Sequence, residues 1–426
     1  MSNTTKDVNA ASANFGAKGW FVIIISFLCI LLDSSLINDS LNVTIPTFAA
    51  AKGWNISILY LFSTLSAWIA VFGAVMWGAI SKKFNIRFAW SASLAITAIA
   101  SIAWGHASST GFYLVCLSIA SIGGMGFAYI ANLNVISNWF PRKKGMAMGF
   151  VTIGFPLSAS ISVPLVSGLL GADSNLAKVY TFYAVAALIL CVIVAVFIRD
   201  YPEQSLAFPD NNQNYDHAQA QKELQEGLAY MKTSPWTVKK LFQTKKVWMI
   251  AYALGVMELL SIGIMTNFMP RCKQAGYETY EITIMLAVAG LIAIFGSIGC
   301  GLLDAKVGPK KAIFITLVLA VIAIILNLIP TRATMYCSLP FLGIMLGGAA
   351  NYLVSLTNTI WGRYDFPMAY RVLKPMVAAL GALGVSLVGV LGNVFSYAFA
   401  YGVLAVLAFI AIIVIYFVDD ALIGRN

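Results

Sequence analysis

Two acidic residues at repeat-related positions stand in long apolar runs, where a chain that spans a membrane has little reason to keep one. Asp33 and Asn42 lie in the first run, and Glu258 and Asn267 repeat that spacing in the seventh at an offset of 225 residues. A charge in hydrocarbon costs roughly 2.5–3.5 kcal/mol on insertion scales, so a retained acid marks a functional site. Three duties suit such a pair. A desolvated carboxyl can exchange a proton near neutral pH, as a proton-coupling residue must. It can instead receive a cationic substrate, whose ammonium group relieves the buried negative charge. Or it can fix helix packing by bonding to Ser34, Asn38 or Ser261. Proton coupling by Asp33 and Glu258 is the leading reading.

Other polar side chains in apolar runs either line a substrate cavity or bond between helices: Asn38, Asn42, Tyr60, Trp68, Tyr129, Asn132, Asn134, Asn267, Asn351, Tyr352 and Asn358. Asp39, about 9 Å beyond Asp33 and on another face of the helix, is expected near the outer interface and solvated. Lys374 supplies an anion's counter-charge if its helix starts early, around Arg371. Pro375 directly after it favours a first helical turn, with Lys374 snorkelling at the cytoplasmic entrance and Arg371 in the preceding loop. Pro156 and Pro164, among Ser158, Ser160 and Ser162, read as a flexible gating helix. Gly123, Gly124, Gly126, Gly347 and Gly348 read as small faces for helix contact.

Composition dictates the elements that position these groups. Of 426 residues, 60% are hydrophobic and 10% charged, outside the range of soluble domains. Apolar runs near 19–45, 57–80, 87–107, 111–136, 145–169, 178–198, 247–268, 282–303, 312–330, 337–358, 374–396 and 397–418 are each long enough to cross a bilayer. The first reads as a retained helix and not a signal peptide. The expected fold is an all-α membrane protein of twelve spans. Lys52, Lys178, Arg271, Lys273 and Arg332 alone occupy the outer loops; the other 22 of the 27 basic residues face the cytoplasm with both termini. That bias accounts for the net charge of +10, so a nucleic-acid partner is not implied. Six cysteines lie mostly in apolar runs and form no metal or disulfide pattern. No nucleophile–base set or phosphate loop is visible, so neither an enzyme nor a cofactor is expected.

The chain is internally duplicated. Gly78, Lys83 and Arg87 in the 2–3 loop match Gly301, Lys306 and Lys310 in the 8–9 loop at an offset of 223, and Gly123, Gly124 and Asn134 match Gly347, Gly348 and Asn358 at 224. Units with an even number of spans must be related by an axis along the membrane normal. The expected domains are a cytoplasmic leader, 1–18; six-helix bundles, 19–199 and 247–418; a cytoplasmic linker, 200–246; and a tail, 419–426. In the linker, Asp210–Asn214 reads as a turn, 216–232 as a helix, and Ser234–Pro235 as the start of another, with Trp236, Phe242 and four lysines at the membrane surface.

Twelve spans in two repeats with short basic 2–3 and 8–9 loops resemble the major facilitator superfamily. Asn138-Trp139-Phe140-Pro141-Arg142, Tyr201-Pro202-Glu203 and Ser234-Pro235-Trp236 are similar to its oxalate:formate antiporter group. The resemblance implies a secondary carrier of small organic carboxylates that works by alternating access, with gating residues Gly78, Lys83, Arg87, Gly301, Asp304, Lys306, Gly308, Pro156 and Pro164. The superfamily's loop Asp is Lys82 here, and in the second loop Asp304 stands one residue early, which implies different cytoplasmic gate contacts. Oxalate carriers of this group carry basic residues on spans 8 and 11. Residues 282–303 contain none, so a monoanion or an amphipathic carboxylate is expected instead, moved by proton symport more than by exchange. The alternatives are a carrier of cationic or drug-like compounds that uses Asp33 and Glu258 as recognition acids, and a transport-inactive ligand sensor. The expected setting is the inner membrane, as a monomer.

Overall fold

The computed structural model of the protein describes residues 9–212, 216–329 and 331–425; residues 1–8 of the leader and 213–214 of the expected turn lie outside these. Among the described residues every regular element is helical. Eleven helices are long and apolar enough to cross a membrane. They include Gly16–Asp39, Ile56–Lys83, Ile86–Gly105, Thr110–Trp139, Lys144–Leu170 and Leu176–Phe197, which are spans 1 to 6. Lys245–Thr266, Tyr280–Val307, Pro309–Leu328 and Tyr397–Tyr416 are spans 7, 8, 9 and 12.

The 43-residue helix Tyr352–Val394 breaks at Gly362, where φ is 71° and ψ is 178°, a conformation open mainly to glycine. Residues 352–361 therefore continue Arg332–Gly348 across a kink at 349–351 as span 10, and residues 363–394 form span 11. This completes the all-α, twelve-span architecture.

Span starts follow from the residues before each apolar run. Asn55 accepts from the Ser57 amide at 2.9 Å, Asn175 from Lys178 at 3.1 Å, Thr331 from Thr334 at 3.2 Å and Ser396 from Phe399 at 3.1 Å. Each satisfies a helix-end donor that lipid cannot. Span 3 is capped twice: Asn85 accepts from Phe88 N at 2.6 Å, while Asp200 accepts from Ile86 N at 2.9 Å and Arg87 N at 2.8 Å.

Desolvation pushes the Asp200 carboxyl above the usual range, and the two backbone amides pull it back. The folded chain thus retains a proton that the unfolded chain has released, and this group's contribution to stability falls as pH rises through that window. Asp200→Ala should lower stability by about 1 kcal/mol through the lost cap and flatten this slope, read as melting temperature against pH in detergent.

Several spans lose regular α-geometry near mid-length. Ser34–Asp39 and Met125–Ile130 are π-helical, and span 5 breaks at 152–153 between Lys144–Val151 and Gly154–Leu170. Irregular backbone at membrane depth persists only where protein buries it or where it lines a watery cavity, and π-segments recur at functional sites.

Packing divides the described chain into two compact units, one of Phe15–Trp139 with Leu157–Ala220, the other joining residues 9–14 and Phe140–Pro156 to the chain from Gln221 on. In the first, span 3 packs against spans 4 and 6, and span 2 against span 4. Phe48, Trp104, Tyr113 and Tyr180 form a fully buried aromatic core there, with Trp104 and Tyr180 centroids 4.6 Å apart. In the second, span 7 lies along span 11, and spans 10 and Lys144–Val151 lie on span 8. Spans 7 and 11 approach closely enough that a Cβ at Gly384 would overlap the Leu259 carbonyl.

The linker contains the expected helix, at His217–Thr233. Ser234–Pro235 does not start the next one, which runs Val238–Gln243 with Thr237 as its cap. Ser234 instead donates to Asp365, which also accepts from Tyr230 Oη at 2.9 Å and the Arg425 amide at 3.0 Å.

Candidate functional site

In the second unit Glu258 is ion-paired. Lys374 Nζ lies 3.3 Å from Glu258 Oε1, with side-chain exposures of 8% for the lysine and 27% for the acid. Glu258 stands 13 residues into span 7 and Lys374 11 residues past position 363, so both are about 17–20 Å from their helix starts at 1.5 Å per residue. The expected snorkelling position of Lys374 is thus corrected. Span 11 begins just after Gly362, which leaves Pro367 and Pro375 inside it and carries Lys374 down to the depth of Glu258. Arg371, expected in a loop, is likewise inside the helix and half-buried. Gly381 makes room for the acid, since a Cβ there would fall 2.9 Å from Glu258 Cγ. An ammonium beside a partly exposed carboxylate is a cation for which an incoming anion can compete.

In the first unit Asp33 is 4% exposed and its carboxylate rests against Gly124, where a Cβ would overlap Oδ1. Ser34, expected to serve Asp33, donates to Asp39 Oδ2 at 3.2 Å, and Ser158 donates to the same oxygen. Asp39 is therefore not simply solvated: the π-segment turns it towards span 5. Ser158 and Ser162 hydroxyls are 3.1 Å apart, Ser162 donates to Ser35 at 2.8 Å, and Ser35 meets Tyr183 Oη at 2.7 Å.

A third polar group gathers at the breaks of spans 5 and 10. Thr152 meets Ser297 Oγ at 2.6 Å and donates to Asn351 Oδ1, while Asn351 donates to the Ser297 carbonyl at 2.9 Å. Thr152 and Ser297 carried no signal in the sequence, because single hydroxyl residues in an apolar run read as ordinary packing.

The remaining candidates scatter. Asn132 ties span 4 to the Ser26 carbonyl at 3.1 Å, Asn267 bonds the Gly263 carbonyl at 3.0 Å, and Tyr352 meets Thr316 at 2.8 Å; these are packing contacts. Asn42 bonds the Asp39 carbonyl at 3.1 Å and is exposed, as are Asn38, Tyr60 and Trp68. Tyr129 is half-buried in the second π-segment, and Asn134 and Asn358 are buried.

Among the gating candidates, Gly301 packs against Gly145 and Gly149, and Asp304 lies 4% exposed against Gly145. Ser355 and Lys144 lie beside that carboxylate. Gly308, at φ 87°, joins spans 8 and 9. Gly78 and Pro156 are half-buried, and Lys306 and Pro164 are exposed. Lys83 covers the Phe84 ring at 5.4 Å, and the Arg87 amide is held by Asp200.

Twelve helices, several with broken backbone near mid-span, and an ion pair inside two of them describe a polytopic membrane protein. The family model of the Major Facilitator Superfamily matches residues 22–364, and the chain belongs to that superfamily, whose members are carriers and not enzymes. It is 22% identical over 297 residues to the oxalate:formate antiporter of Oxalobacter formigenes, covering 68% of this chain and 65% of that protein. It is 24% identical over 382 residues to the multidrug resistance protein MdtG of Enterobacter lignolyticus, covering 85% and 83%. Among solved structures, the proton:xylose symporter XylE superposes with a TM-score of 0.73 at 13% identity, covering 94% of this chain and 96% of that one. The human organic anion transporter MFSD10 superposes at 0.70 and 15% identity, covering 94% and 100%.

Proposed function

We propose that this protein is a secondary carrier of organic carboxylates, monoanionic or amphipathic, moved by proton symport across an inner membrane with both termini cytoplasmic. The observation that carries this reading is the 3.3 Å pair of Lys374 and Glu258. The substrate carboxylate takes Lys374 as its counter-ion, Glu258 loses its partner and takes a proton, and anion and proton then cross together as the site alternates between the two sides. Asp33 is a second proton acceptor, in the equivalent place of the first repeat. The similarity to an oxalate:formate antiporter and an organic anion transporter supports the substrate class.

The pair also argues against a cation carrier, the reading the multidrug relative would favour, because the acid of span 7 already has its cation. Vesicles containing purified protein, labelled mono- and dicarboxylates and an imposed inward proton gradient form the test. Saturable, gradient-driven uptake of monocarboxylates is the expected result; inhibition by quaternary amines without carboxylate uptake would reject it.

A further inference from the structure

Asp39 is used by nothing in the scheme above, yet it is a built site. Its Oδ2 accepts from Ser34 at 3.2 Å and from Ser158, and the chain of hydroxyls continues through Ser162 and Ser35 to the buried Tyr183. Among the described residues its side chain bonds to hydroxyls alone. Helix Leu41–Lys52 carries only Lys52, at its far end, span 4 and Gly154–Leu170 of span 5 carry no Lys, Arg, His, Asp or Glu, and span 2 carries only Lys82 and Lys83 at its other end. Span 6 contributes Tyr183 and, at its exposed outer start, Lys178; span 1 contributes Asp33 six residues back. Asp39 is thus a carboxylate held by hydroxyls, with no cation contributed by the elements around it, whereas Glu258 has Lys374.

We propose that Asp39 is a proton-binding site separate from the Glu258–Lys374 pair, and that its protonation releases span 5 from span 1 by weakening the Ser158 hydrogen bond. The proton comes from bulk water and adds to a carboxylate oxygen; no other covalent bond changes. Hydrogen bonds to a charged acceptor are about twice as strong as those to a neutral one, so the serine latch is tight in the charged state and loose in the neutral one. Each hydroxyl of the chain can donate or accept, which lets the network reorient as Asp39 changes state. Span 5 can respond because its break at 152–153 and Pro156 immediately precede the latched segment.

The test needs no substrate, so its failure is separable from failure of the proposed carboxylate symport. Acid-minus-alkaline infrared difference spectra of the full chain in detergent should contain the carbonyl band of a protonated carboxyl group that Asp39→Asn loses and Glu258→Gln keeps. Deuterium uptake over residues 157–170, corrected for intrinsic exchange, should rise severalfold on acidification in the wild type. Ser158→Ala leaves the carboxylate in place and should show the acid-state uptake at both pH values. The band surviving in Asp39→Asn, or pH-indifferent uptake over residues 157–170 in the wild type, would overturn the proposal. So would sodium ions reproducing the acid effect at constant alkaline pH, which would assign the site to a metal cation.

Discussion

Glu258→Gln is expected to abolish accumulation of labelled carboxylate driven by a proton gradient while preserving exchange of labelled for unlabelled substrate. Gln cannot be protonated, so the step that ties proton to anion is lost. It also no longer competes as an anion for Lys374, so substrate affinity in exchange should hold or improve. Lys374→Ala should behave oppositely: the anion loses its counter-charge and the half-buried Glu258 is left without its cation. A loss of roughly 10- to 150-fold in exchange is anticipated from the about 1.5–3 kcal/mol of a hydrogen bond to a charged group, together with a lower melting temperature. The double variant Glu258→Gln with Lys374→Gln separates the two effects, because it removes both charges. It should recover the melting temperature of the wild type and remain inactive in exchange. Undiminished gradient-driven accumulation in Glu258→Gln would refute the coupling role.

The second large effect should come from Gly301→Val. A Cβ at Gly301 would stand 2.6 Å from the Gly145 carbonyl oxygen and 3.0 Å from Gly149 Cα. These are backbone atoms of Lys144–Val151, which cannot swing aside as a side-chain tip can. Overpacking of this kind costs about 1–3 kcal/mol, equivalent to roughly a 5- to 150-fold change in any equilibrium that requires spans 5 and 8 to close on each other. Exchange should fall accordingly, and a cysteine introduced at Lys144 should become more reactive to a thiol reagent. Gly299→Ala supplies the control, since nothing beyond its own stretch of helix lies within 4 Å of the added Cβ. Equal activity of the Gly301 and Gly299 variants would remove spans 5 and 8 from the gate.

The acids illustrate how far linear pattern reaches. Duplication gives Asp33 and Glu258 equivalent places in the two repeats, and hydrophobic run length fixes the number of spans, because lipid admits only helices whose backbone groups bond internally. The caps Asn55, Asn85 and Ser396 are equally local and precede their runs visibly. Residue type and spacing along one helix suffice for all of these.

Partnership was decided elsewhere. Lys374 reaches Glu258 across 116 residues because span 11 starts at a positive-φ glycine and not at the proline that local signals favoured. Asp33 and Glu258, equivalent by repeat, differ chemically: one rests on Gly124 and the other on Gly381 and a lysine. Asp39 gains Ser158 from span 5 through a π-turn that no composition announces. Sequence by itself determined which polar groups must lie at membrane depth, since that follows from the energy of crossing lipid. Only tertiary packing decided which of them meet, since an ion pair or a hydroxyl chain depends on helix rotation and backbone breaks that arise when separate spans are packed together.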